Sequence, residues 1–197
     1  MTIPSALVSE SRRELARFPA LLGSVVAGLD ADTWRARPLP HEWAPVEIVC
    51  HLRDEEAEDF GARVRVILAG GDRFAPIDPE GWAVERQYRD ADPGAALTVF
   101  RRLRRENLAL LADAPVEDLT RSVAQPGGLP LSGLDLAAAW VTHDRLHLHQ
   151  LAGTLARLWA DRWAPLRAAY AGPIPYEGAV EKSKSGSDPI LKGGSDG

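Results

Sequence analysis

The sequence predicts an all-α fold, a four-helix bundle with long crossover connections. Three observations predict it. Four long stretches carry apolar residues at the helical period, no stretch of comparable length alternates apolar and polar residues as a strand would, and the later connections are long and rich in Pro and Gly. A helix with one apolar face must bury it, and four helices of about 20 to 28 residues do so most simply against one another.

Between residues 5 and 29, Leu7, Leu15, Phe18, Leu22, Val25 and Leu29 share a face. Pro19 predicts a kink there, because its ring lacks the amide donor and crowds the preceding turn. The second stretch covers residues 45–68. Pro45 suits a first turn, where an amide would be unpaired anyway, and Gly70-Gly71 supplies the stop. The third opens at Asp92-Pro93, an N-cap acid followed by a first-turn proline, and carries Phe100, Leu103, Leu108 and Leu111 to about Ala112. The fourth begins at Ser132, with Asp135 three residues on as a variant capping box, and runs through Leu136, Trp140, His143, His147, Leu151, Leu155 and Leu158.

Residues 71–91 hold Pro76, Pro79 and Trp82, with room for a short helix near 79–86, and residues 115–131 hold Gln125-Pro126-Gly127-Gly128 and Pro130. Connections of that length exclude an up-down-up-down bundle with tight loops. The chain divides into one bundle domain, residues 1–170, and a C-terminal tail, residues 171–197, whose Gly, Pro, Ser and Lys content predicts disorder.

With 197 residues, 45% of them hydrophobic, the chain can bury one genuine core. Its net charge of −5 argues against nucleic-acid binding, which needs a basic stripe to displace phosphate counterions. Arg101, Arg102, Arg104 and Arg105 form the densest basic run, and with Glu106 and Asp113 nearby they read as a solvated helix face. The single cysteine, Cys50, allows no intrachain disulfide. No signal-like start and no apolar run of about 20 residues is visible, so the expectation is a cytoplasmic protein outside the membrane.

The chemistry concentrates on histidine. His143 and His147 stand four residues apart within the apolar stripe of the fourth helix, so both imidazoles leave one face and point inward. Two neutral imidazoles in that relation can supply adjacent corners of a metal polyhedron. Of the three remaining histidines, His51 is the best third ligand, on the second helix with Glu55 one turn on. Either histidine of the pair, taken alone, also reads as a core residue bonded to a carbonyl or water. Together the three would bring several ring nitrogens out of water at about 1 to 3 kcal/mol each if unpaired, and one cation would satisfy three of them.

Glu55 and Asp54 read either as groups that orient an imidazole or relay a proton, or as solvated acids in the run from Asp54 to Asp59. Gln150, one turn after His147, suits a hydrogen bond to a bound water or ligand, or a helix contact. His149 points about 200° away from His147, His41 lies in a loop, and Cys50 reads as a small core residue.

The run from Arg37-Pro38-Leu39-Pro40-His41-Glu42-Trp43 to His51-Leu52-Arg53-Asp54-Glu55, followed much later by His143-Asp144-Arg145-Leu146-His147-Leu148-His149-Gln150, resembles the signature of the DinB/YfiT-like superfamily. That pattern is a tryptophan, a helix bearing His-Leu-x-Asp, then His-x-x-x-His-x-x-Gln. Phe74-Ala75-Pro76-Ile77-Asp78 and Gly81-Trp82-Ala83 are similar to the same group, and the likeness spans about residues 5–158. The resemblance implies a four-helix bundle with a divalent metal, zinc or nickel, held by His51, His143 and His147. It further implies a metal-dependent enzyme acting on a small molecule, either a thiol S-transferase with a low-molecular-weight thiol as cosubstrate or a hydrolase activating water, and a homodimer. The competing reading is a non-catalytic, stress-related metal-binding bundle or dimerisation module.

Overall fold

The computed structural model describes residues 3–125 and 128–176. Its helices are α1 (Ile3–Val25), α2 (Ala31–Arg35), α3 (Pro45–Asp54), α4 (Phe60–Leu68), α5 (Pro79–Glu85), α6 (Pro93–Asp113) and α7 (Gly133–Arg162). A two-residue antiparallel pair, β1 (Ser122–Val123) with β2 (Leu131–Ser132), closes the base of the loop before α7.

Local chemistry starts and stops most of these helices where the sequence predicts. Asp92 accepts the Ala95 amide at 2.5 Å, and Asp78 accepts the Gly81 amide at 3.0 Å. Ser132 and Asp135 form a reciprocal cap, Ser132 Oγ accepting from the Asp135 amide and the Asp135 carboxylate from the Ser132 amide. α4 ends at Gly70, whose φ of 71° is the left-handed conformation glycine adopts freely. α1 stops at Val25 rather than near Leu29, and Leu29 packs on the core from the loop beyond it.

α1 packs chiefly on α6 and α7, while α3 packs on α6 and α7 and α4 on α7. Going round the bundle, the order is therefore α1, α6, α3 with α4, then α7. The first and second long segments lie diagonally opposite, as do the third and fourth, so residues 26–44 and 114–132 must cross the ends of the bundle. That is the physical reason for the long crossovers, and the expected four-helix architecture stands.

Two expectations about the helices need correction. The second helix is not one continuous α-helix: residues Glu55–Asp59 form a π-helical turn between α3 and α4, where the Phe60 amide reaches the Glu55 carbonyl. Inside it, the Glu56 carbonyl accepts a hydrogen bond from Asn107 Nδ2 at 2.9 Å. Gly61 makes this approach possible, since a Cβ there would stand 2.3 Å from Glu56 O and 2.7 Å from the Asn107 amide atoms. Gly61→Ala should therefore lower stability by about 1 to 3 kcal/mol or more, read as a lower urea midpoint.

The arginine run of α6 is also not uniformly solvated. Arg101, Arg102 and Arg105 are exposed, but Arg104 is 1% exposed. The buried stripe of α6 is Ala96, Phe100, Arg104, Asn107 and Leu111, with Leu103 and Leu108 only half-buried beside it. Arg104 lies between the two apolar clusters. Its guanidinium sits over Phe18 and Phe100 of one and Trp140 of the other. It donates to Glu56 Oε1, to both oxygens of Asp144, and to the Leu15 carbonyl. Leu15 is the residue whose helical acceptor role is vacated by Pro19, which has no amide to offer. α1 continues through Pro19, and the orphaned carbonyl is satisfied from a neighbouring helix.

Of the expected tail, residues up to 176 are described. Pro175 and Tyr176 lie close to Gly153 on α7, while residues 177–197 lie outside the described part. No described helix is long and apolar enough to cross a membrane.

Candidate metal centre

α3 contributes His51 and α7 contributes His143 and His147. The Nε2 atoms of the three rings converge, with separations of 3.2 Å between His51 and His143, 3.0 Å between His51 and His147, and 3.1 Å between His143 and His147. No other group of three potential ligand residues clusters this way among the described residues. A divalent ion about 2.0 to 2.1 Å from each imidazole would separate them by about 2.9 Å at a right angle and about 3.3 Å at the tetrahedral angle. The observed triangle falls between these values, so the donor set fits such an ion.

The protonation chemistry agrees. Burial, reinforced by the neighbouring ring, pushes His51 down to about 3, and burial with both other rings pushes His143 to about 2. Burial lowers His147 as well. Metal ligation requires neutral imidazoles, and this environment keeps them neutral.

Gln150 is bonded within its own helix. Its carbonyl Oε1 accepts from His147 Nδ1 at 2.8 Å, which assigns the proton to Nδ1 and leaves the Nε2 lone pair facing the other rings. Gln150→Ala should weaken metal affinity about 10- to 100-fold with little change in helical content. Competition with a chromogenic chelator measures it.

Glu55 is buried, and its Oε1 lies 3.7 Å from His51 Nδ1; neither atom has a hydrogen-bond partner among the described residues. Burial, with a hydrogen bond and charge from Asp59, pushes Glu55 up to about 8. The π turn places it there. The alternative reading of a solvated acidic run fails for Asp54, Glu55, Glu56 and Asp59, which are all buried. Asp54 accepts from Tyr88 Oη at 2.6 Å, Arg86 at 2.7 Å and Arg53 at 2.5 Å. Burial works against its charge, but these donors hold its pKa below the usual carboxylate range.

His149 and His41 are exposed, and Cys50 is fully buried with its thiol pushed up to about 11 by burial, as expected of a core residue. Trp43, just before α3, lies 5.0 Å from the His51 ring, and Phe60 lies 5.1 Å from that of His143. Trp140 lies deeper, stacked on Phe60 and donating to Glu56 at 2.8 Å. A cavity of about 260 Å³ lined by His41, Glu42, Trp43, Glu80 and Gln150 opens beside the triad. Trp43 and Gln150 are the walls that contact its histidines.

Sequence reasoning missed the polar support under this centre: Arg104, Glu56, Asp144 and Asn107. The signal was present, since Arg104 and Asn107 fall at helical spacing between Phe100 and Leu111.

A helical bundle with three inward histidines from two of its helices defines the class, a helical bundle lined by a histidine triad that could hold a metal ion. Residues 14–151 match the family model of the DinB superfamily, and the chain belongs to that superfamily. Among solved structures, the chain is similar to YfiT from Bacillus subtilis, described as "a probable metal-dependent hydrolase with an unusual four-helix bundle topology", at 19% identity and a TM-score of 0.71 over 77% of this chain and 87% of that one. It is also similar to a variant of the mycothiol-dependent maleylpyruvate isomerase, at 12% identity and a TM-score of 0.61 over 77% of this chain and 63% of that one. At such identities the likeness establishes the fold. A search of the curated proteins finds no match.

Proposed function

We propose that the protein is a metal-dependent enzyme in which His51, His143 and His147 hold a divalent ion, zinc or nickel, that activates a thiol or water against a small-molecule substrate. The observation that carries this reading is the convergence of three neutral Nε2 atoms, one on a buried and two on half-buried imidazoles, within 3.2 Å of one another. The names of the similar structures, a probable metal-dependent hydrolase and a mycothiol-dependent maleylpyruvate isomerase, support it.

A divalent ion supplies Lewis-acid chemistry, bringing a thiol or water toward ionisation near neutral pH. Three uncharged donors leave that ion its full charge and room for an outside ligand, as in catalytic rather than structural sites. Gln150 fixes the tautomer of His147. Glu55, buried beside His51 and shared with Asp59, is placed to hold a proton or return it, the role of a general acid or base. Trp43 and Gln150 flank the approach, and Trp43 shields His51 from bulk water.

The test is thiol-dependent turnover of an electrophile such as chlorodinitrobenzene or monochlorobimane by metal-loaded protein, with ester hydrolysis assayed alongside. Turnover should appear and should vanish in His147→Ala while the far-ultraviolet circular dichroism is retained. Metal binding without either activity would favour the non-catalytic reading, a metal-stapled binding or dimerisation module.

A further inference from the structure

A second cavity, of about 300 Å³, lies along α4. Arg63 of α4 lines it, together with Arg73, Phe74, Ala75 and Pro76 from the segment that follows, and Ala124 and Gln125 beyond β1. Arg63 is held from two sides: it pairs with the buried Asp59, and its guanidinium lies 4.9 Å above the Phe74 ring. Its two terminal nitrogens make no hydrogen bond among the described residues, and Arg73 makes neither a hydrogen bond nor an ion pair there. Among the described residues no acidic side chain lines the cavity, and its other walls are largely apolar.

This combination selects a ligand chemistry. A fixed guanidinium with free N–H donors matches the two oxygens of a carboxylate, and a second cation beside it adds charge without new geometry. Phe74, Pro76 and the two alanines offer an apolar bed. A volume near 300 Å³ is at the small end of ligand sites.

We propose that this cavity binds a small, largely apolar organic acid, with Arg63 and Arg73 holding the carboxylate and Phe74 and Pro76 packing its body. Arg63 connects inward through Asp59 and Glu55 to His51, so the carboxylate would be two acidic side chains from the metal centre. That such an acid is the substrate rests on the enzymatic reading above; its binding does not.

The probe is benzoate, titrated into the full chain by calorimetry or ligand-observed nuclear magnetic resonance, with benzyl alcohol as the uncharged control. Benzoate should bind saturably, and benzyl alcohol at least about tenfold more weakly. Arg73→Ala should weaken benzoate by about tenfold at an unchanged urea midpoint, because the exposed Arg73 supports no other contact. Ala124→Trp should block binding by filling the cavity. Metal-free protein and His147→Ala should bind benzoate undiminished, which separates this proposal from the metal-dependent activity. Absence of saturable binding, equal binding of the alcohol, or indifference to Arg73→Ala would overturn it.

Discussion

Arg104→Ala is expected to remove about 3 to 5 kcal/mol of stability, a large fraction of the 5 to 15 kcal/mol of an ordinary domain. The guanidinium is 1% exposed and neutralises Glu56 and Asp144, themselves 1% and 2% exposed. Burial pushes Asp144 up to about 6, even as hydrogen bonds from Arg104 pull it down. Without Arg104 both carboxylates lose their cation in a medium of low polarity, and the Leu15 carbonyl loses its donor as well. The loss should appear as a lower urea midpoint. The combined change Arg104→Met, Glu56→Gln, Asp144→Asn should recover much of it, because none of this cluster's three charges then remains buried. A midpoint for Arg104→Ala equal to wild type would show that the cluster carries no such weight. Asp144 directly follows His143, so metal affinity should fall with the same variant.

The second large effect is on the metal. His51→Ala should weaken binding by about two to three orders of magnitude, as expected when binding of roughly 10 to 16 kcal/mol loses one of a few protein ligands. His143 and His147 would remain, one turn apart on α7, as a two-point site open on the side of α3. Elemental analysis after gel filtration, with chelator competition for the constant, reads the change. Unchanged metal content would remove His51 from the ligand set and with it the argument from convergence. His149→Ala is the control, since that ring is exposed on the opposite side of the helix.

Much of this was legible in the chain. Four apolar stripes, the caps at Asp92 and Ser132 and the stop at Gly70 depend on residues within a turn of each other, and such local chemistry is written in order along the sequence. The pair His143 and His147 was equally visible, because helical periodicity alone puts them on one face. His51 as their partner needed the resemblance to a known family as well as its position. The π turn was not legible: it exists because Gly61 lacks a Cβ and Asn107, on another helix, takes the Glu56 carbonyl. Nor was the burial of the acids from Asp54 to Asp59, which as a run of like charges reads as a surface.

By itself, then, the sequence determined the helices, their apolar faces, the crossovers and two histidines of the triad, because these follow from spacing and backbone chemistry over a few residues. Tertiary structure alone decided the meeting of His51 with the α7 pair and the burial of Arg104 between two carboxylates. Each of these depends on groups far apart in the chain whose charges and hydrogen bonds can be satisfied only once the helices have packed.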